Sequence, residues 1–128
     1  KTRKTGYAAV LSLIFGVIVT NLLLKNIVAR PRPFAEIEAL IPLIAKPTDF
    51  SFPSGHTTAS FAVALVMLRM LPKKIGIPAV VLAALVAFSR LYLGVHYPTD
   101  VLVGFVVALV GSLLAVWIVR MKLGNIKR

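Results

Sequence analysis

Cysteine is absent from the 128 residues, so neither a disulfide framework nor a thiolate metal site is available, and the redox compartment is left open. Acids are almost as scarce: Glu36, Glu38, Asp49 and Asp100 are all there are. Charged residues of both signs make up only 15% of the chain, against 59% hydrophobic. A soluble domain this small exposes much of its surface and needs more polar side chains to cover it, whereas lipid accepts an apolar exterior. The composition therefore excludes an ordinary soluble domain and indicates an all-α integral membrane protein, a bundle of transmembrane helices. Linkers, low-complexity tracts and internal repeats are also missing, so 1–128 reads as a single domain. No basic stripe with interleaved aromatics accompanies the net charge of +11, and nucleic acid is not an expected partner. The chain opens on "KTRK" and not on methionine, from which removal of an upstream segment is expected.

What is present is four long apolar stretches, at 7–28, 53–71, 75–93 and 98–119. Each is roughly 19 to 22 residues, or about 28 to 33 Å as helix, the thickness of a hydrocarbon core. Four spans put both chain ends on one side. That side holds Lys1, Arg3, Lys4, Arg69, Lys73, Lys74, Arg120, Lys122, Lys127 and Arg128, and the other holds Lys25, Arg30, Arg32, Lys46, Arg90 and all four acids. By the positive-inside rule the termini are cytoplasmic and the acid-bearing loops face outward, with the cell membrane as the expected location. Small residues recur every fourth position: Ser12, Gly16 and Thr20; Ser54, Thr58 and Ala62; Ala79, Ala83 and Ala87; Gly104, Ala108 and Ser112. Ridges of this kind let helices pack closely in lipid. Pro31 and Pro33 end the first span near Ala29. The connection 33–52 is an outward-facing loop, either packed on the bundle or lying in the interface on Phe34, Ile37, Leu40, Ile41 and Ile44.

Polar residues at the outward ends of the spans are costly there, and function or snorkelling must explain them. Lys25, Arg32 and Arg90 make a positive site whose natural guest is an anion, phosphate above all, since a guanidinium fork matches two of its oxygens. In "PSGH", at 53–56, Pro53 suits a first helical turn, and Ser54 and Gly55 leave backbone N–H groups open to an anion. His56 stands in that terminus, as a capping residue or as an acid. In "SRLYLGVHYPTD", Pro98 opens a helix and Asp100 follows His96 by four residues. The carboxylate can cap the helix, or can orient one imidazole nitrogen so that the other is free to attack. Two histidines, one carboxylate and three cations suffice for phosphoryl transfer without a metal: His96 attacks phosphorus, His56 protonates the leaving oxygen, and the cations hold the charge. Ligation of a divalent ion by the histidines and Asp100 is the competing use, opposed by the surrounding positive charge.

These blocks resemble the signature of the phosphatidic acid phosphatase type 2 superfamily, histidine phosphatases whose site is shared with vanadium haloperoxidases. "KNIVARPRP" supplies Lys25, six residues, then Arg32 and Pro33. "PSGH" is intact, and "SRLYLGVHYPTD" supplies Ser89, Arg90, His96 and Asp100 in order. The resemblance implies a phosphohistidine at His96 supported by Asp100, His56 as the acid, and phosphate binding by Lys25, Arg32, Ser54, Gly55 and Arg90. It implies neither metal nor other cofactor. Membrane members of the family are six-helix proteins, so four spans leave the first two family helices unaccounted for. A site at the bilayer rim selects a headgroup phosphate whose tail stays in lipid, and the expected substrate is a polyprenyl diphosphate or a phospholipid phosphate. Phosphotransfer to an acceptor alcohol, and an anionic-lipid binding or transport bundle without catalysis, are the alternatives. The oligomeric state is open.

Overall fold

The computed structural model describes residues 2–124. Lys1, Lys127 and Arg128, counted above among the inward cations, lie outside the described residues. Within them the chain is all-helical: α1 (Thr2–Val17), a π-helical stretch (Ile18–Leu24), α2 (Lys25–Val28), α3 (Pro33–Glu36), α4 (Gly55–Met70), α5 (Lys73–Tyr92) and α6 (Pro98–Leu123). The sequence pattern gave no sign of the π-helical turn.

The helix ends follow local chemistry. Ala29 closes α2 in the left-handed region at φ 48°, ψ 46°, its N–H donating to the Lys25 carbonyl. Arg30 precedes Pro31 and is pushed away from helical backbone, so the chain turns back instead of carrying the helix to Arg32. Pro53 does not sit in the first turn of α4 as expected. It follows a cis peptide bond with Phe52, and Ser54 is the N-cap, its Oγ accepting from the Thr57 N–H at 3.3 Å. α6 does open on Pro98.

Three stretches, Thr2–Glu36, Lys73–Tyr92 and Pro98–Leu123, are long and apolar enough to cross a bilayer. α4 has 16 residues, about 24 Å of helix against a hydrocarbon core of about 30 Å. It is shorter than its apolar run because the cap at Ser54 and Pro72 set its limits. α4 is the central element, packed against α1, α5 and α6, with α1 also on α6. Its Phe61, Ala62, Ala64 and Leu65 join Ala83, Ala87 and Ala108 in one core cluster. Phe61 meets the Phe105 ring edge-on at 4.9 Å.

The small-residue ridges lie at these contacts. Ser12, Thr20, Thr58, Ala62, Ala83, Ala87, Ala108 and Ser112 are all buried. A Cβ added at Gly16 would come within 2.9 Å of the Thr58 methyl, so α1 and α4 approach closely only because that position is glycine. Hydroxyls bond across the same seams, Ser12 to the Ala62 carbonyl at 3.0 Å and Thr20 to Thr58 at 3.3 Å. The exterior is apolar instead: Val81, Leu82, Leu85 and Phe88 of α5 and Leu102 and Trp117 of α6 are exposed. Large apolar side chains outside and small or hydroxylated ones inside are the arrangement expected of helices solvated by lipid.

Lys4, Arg69 and Arg120 line one cleft at the end of the bundle where α1 starts and α4 finishes. Lys25, His56, Arg90 and His96 gather at the other end. The connection 37–53 contains no regular helix. Two backbone hydrogen bonds tie it to the bundle, the Leu43 N–H to the Leu93 carbonyl at 3.2 Å and the Ser51 N–H to the Arg30 carbonyl at 2.9 Å. Its Ile37, Ile41, Leu43 and Ile44 are exposed and do not form one helical face.

Candidate active site

A cavity of about 370 Å³ opens at this second end, lined by Lys25, Arg32, Gly55, His56, Arg90 and His96 together with Asp49, Asn21 and the buried Thr20 and Thr58. Six of the eight side chains or backbone positions singled out from the sequence therefore share one cavity. The other two, Ser54 and Asp100, are fully buried and stand behind it. Ser54 Oγ accepts from both the Thr57 N–H and the Thr57 hydroxyl, at 3.3 and 2.9 Å. Its hydroxyl thus caps α4 and is turned from the cavity, while Gly55 presents the helix start to it.

His96 is held by one side chain at each ring nitrogen. Its Nδ1 lies 3.4 Å from Asp100 Oδ2, and its Nε2 lies 3.2 Å from Arg32 Nη1. A guanidinium can only donate, so Nε2 carries the lone pair and the proton sits on Nδ1, facing the carboxylate. Burial lowers the pKa of His96. The Asp100 hydrogen bond opposes that shift and Arg32 adds to it, so the imidazole is neutral at physiological pH. His96 thus lines the cavity with an unprotonated Nε2 that accepts from Arg32.

Asp100 has more partners than the sequence suggested. Besides His96, it accepts from the Tyr97 N–H at 2.7 Å, from the Ser51 hydroxyl, and from Arg30 Nη1 at 3.1 Å. It therefore caps α6 and orients His96 at once, both through Oδ2, while Oδ1 takes Arg30. Arg30 also donates to Thr99 at 2.6 Å and stacks over the Tyr97 ring at 4.1 Å. The Ser54 N–H bonds the Asp100 carbonyl at 3.0 Å, joining the starts of α4 and α6.

The cations are held less symmetrically. Lys25 and Arg32 are buried, and Arg32 reaches the Asp49 carbonyl through Nε at 3.0 Å and the Val95 carbonyl through Nη1 at 3.0 Å. Asp49, which sequence reasoning passed over as one more loop acid, pairs with both: Oδ1 lies 2.7 Å from Arg32 Nη2, and Oδ2 meets Lys25 Nζ. Burial opposes its ionisation, but the hydrogen bonds from Lys25 and Arg32 outweigh that and hold its pKa at about 2. Arg90 brings a third charge, and its Nε is buried without a hydrogen-bond partner. Among the described residues no group of three His, Asp or Glu side chains is assembled for a metal ion.

Two histidines and three cations thus line one cavity at one end of an apolar helical bundle, an arrangement suited to an anion. The PAP2 superfamily model matches residues 6–123, and the chain belongs to that superfamily. It is 36% identical over 118 residues to an undecaprenyl-diphosphatase of Sulfolobus acidocaldarius, covering 92% of this chain and 57% of that protein. It is 40% identical over 112 residues to undecaprenyl-diphosphatase BcrC of Bacillus subtilis, covering 86% and 55%. The chain thus spans little more than half the length of these curated relatives. Its fold is similar to the crystal structure of Aquifex aeolicus LpxE, with a TM-score of 0.82, 26% identity and coverage of 90% of this chain and 68% of that one.

Proposed function

We propose that this chain is a single transmembrane phosphatase domain that hydrolyses a lipid phosphate or diphosphate through a phosphohistidine, without a metal. The observation that carries the proposal is the pairing at His96, with Asp100 on Nδ1 and an unprotonated Nε2 that accepts from Arg32, in a cavity also lined by His56, Lys25 and Arg90. A docking site for anionic headgroups needs the cations but has no use for an oriented imidazole.

His96 Nε2 attacks phosphorus and the bond from phosphorus to the leaving oxygen breaks. His56, protonated, gives that oxygen its proton. Phosphate bound beside His56 favours its protonated form. Lys25, Arg32 and Arg90 offset the charge on the transferring group, and Asp100 offsets the charge that develops on His96. Neutral His56 then takes a proton from water as the water oxygen attacks phosphorus. The P–N bond breaks, and orthophosphate leaves with both histidines restored. Asp49 pairs with Lys25 and Arg32, and the positive charge around the histidines opposes a divalent ion.

Four crossings, with cytoplasmic termini and the cavity facing outward from the cell membrane, fit the charge distribution: the cavity end carries all four acids and the opposite end most of the cations. In that placement the cavity lies at headgroup depth, which suits a polyprenyl diphosphate or a phospholipid phosphate. The names of the relatives favour the former.

The test is release of orthophosphate from such lipids in detergent micelles containing a chelator. His96→Ala should lower turnover by at least about a thousandfold while micelle binding persists. Turnover retained by His96→Ala, or strict dependence on added divalent ion, would overturn the mechanism. Recovery of a phosphorylated alcohol in place of free phosphate would convert the reading to phosphotransfer.

A further inference from the structure

We infer that Asp49 is a tethered competitor of phosphate: its carboxylate occupies the Lys25 and Arg32 subsite at rest, is displaced by the substrate, and returns to expel the orthophosphate product. This rests on the phosphate reading of the cavity.

The geometry is that of a bound anion. Two carboxylate oxygens are divided between an ammonium and a guanidinium, Oδ2 on Lys25 and Oδ1 at 2.7 Å from Arg32 Nη2. Two oxygens of a phosphate would take the same two donors. The cations are buried and the acid is not: the side chains of Lys25 and Arg32 are 10% and 6% exposed, that of Asp49 is 55%. Arg32 is further anchored through Val95 and through the Asp49 backbone carbonyl. The loop can therefore stay in place while the Asp49 side chain alone rotates out into water. Asp49 remains ionised throughout the physiological range, so it competes as a full charge.

A short tether gives the carboxylate an effective concentration in the millimolar range or above. The cost falls on every phosphate ligand alike, and most usefully on the product, which has no lipid tail to hold it in the membrane. A substrate anchored by its tail tolerates a weakened headgroup subsite, whereas free orthophosphate does not. Asp49 thereby limits product inhibition without moving any part of the bundle.

The experiment compares the wild-type chain with Asp49→Asn in detergent micelles. Asparagine keeps the shape and the backbone carbonyl used by Arg32, and removes the charge. Orthophosphate binding is followed by ³¹P line broadening, and its inhibition constant is measured against lipid phosphate hydrolysis. Two ion pairs at a half-exposed carboxylate are worth about tenfold in affinity. Asp49→Asn should therefore bind orthophosphate about tenfold more tightly, with KM and the inhibition constant falling together. If Asp49 instead positions Lys25 and Arg32, the variant binds orthophosphate more weakly and its KM rises, and the inference is overturned. Unchanged affinity also overturns it. Should the wild-type chain release no phosphate at all, the proposed function fails, while the binding measurement still decides the role of Asp49.

Discussion

Replacing Asp100 by asparagine separates its two tasks, and the size of each effect can be worked from the contacts. The carboxylate is fully buried and accepts from Tyr97 N–H, Ser51 and Arg30 while facing His96 Nδ1. Asparagine keeps the volume but has one acceptor oxygen and one NH₂. With its oxygen toward Tyr97, Ser51 and His96, the NH₂ confronts Arg30 donor to donor. The opposite orientation places it against three donors, so the first is preferred. Arg30 has a one-third exposed side chain and retains Thr99 and the Tyr97 ring, so it can turn to water. What is lost is one ion pair and the charge on the remaining hydrogen bonds, about 2 to 3 kcal/mol. At about 4 °C per kcal/mol this lowers the thermal midpoint in detergent by about 10 °C. On the proposed mechanism turnover falls much further, by about 10²- to 10⁴-fold. Asparagine still accepts from Nδ1, but it cannot offset the positive charge that His96 acquires on attack. Both quantities come from one purified variant, by thermal unfolding and by phosphate release below the new midpoint. A destabilised Asp100→Asn that retains turnover within about threefold of wild type would show that Asp100 only caps α6, and would refute the catalytic assignment of the pair.

Two further measurements address the same site. His96 must be neutral to attack and its pKa is lowered, chiefly by burial. The acid limb of kcat/KM should therefore lie below the ordinary histidine value of about 6.5, with activity lost as pH falls through it. Asp100→Asn removes the influence that raises this pKa and should move the limb lower still, whereas a limb above 6.5 would contradict the burial of His96. Gly104→Ala tests the junction of α4 and α6. The added Cβ would lie 2.9 Å from the Ser54 carbonyl and 3.1 Å from Thr58 Oγ1, costing about 1 to 3 kcal/mol by overpacking. Gly6→Ala, where a Cβ meets nothing within 4 Å, should leave the thermal midpoint unchanged or slightly raised.

The helical membrane bundle was legible in the sequence because it depends on local properties: apolar runs of bilayer length and small residues at every fourth position. Those ridges are buried apart from Ala79, which is partly exposed. α4 differs in its limits: its apolar run begins at Pro53, but the Ser54 cap starts the helix at Gly55, and hydropathy does not register where a cap falls. The π-helical turn at Ile18–Leu24 was invisible for a related reason, since an altered hydrogen-bond register leaves the apolar pattern intact. Of the candidate site, the residues gathered by helix ends were legible: Lys25 at one, Gly55 and His56 at another, and Arg90 with His96 beside the α5–α6 turn. Asp49 and Ser51 were not. They lie on an irregular connection, and their partners are 17 to 49 residues away in the chain.

Arg30 and Arg32 show how such contacts build on a short motif. The sequence reading gave Arg32 to phosphate and left Arg30 as part of the charge balance. In the structure the two arginines stand at opposite ends of a single chain of contacts, Arg32 Nη1 on His96 Nε2, His96 Nδ1 on Asp100, and Asp100 on Arg30 Nη1. Pro31 between them fixes its own φ and has no N–H to satisfy, so the segment stays extended without a sheet partner. That stiffness spaces two cations across a histidine–aspartate pair that a helix continuing from α2 could not span. Arg32 lines the cavity. Arg30 faces outward beside Tyr97 and Thr99 and keeps the second oxygen of Asp100 occupied, which turns the first toward His96.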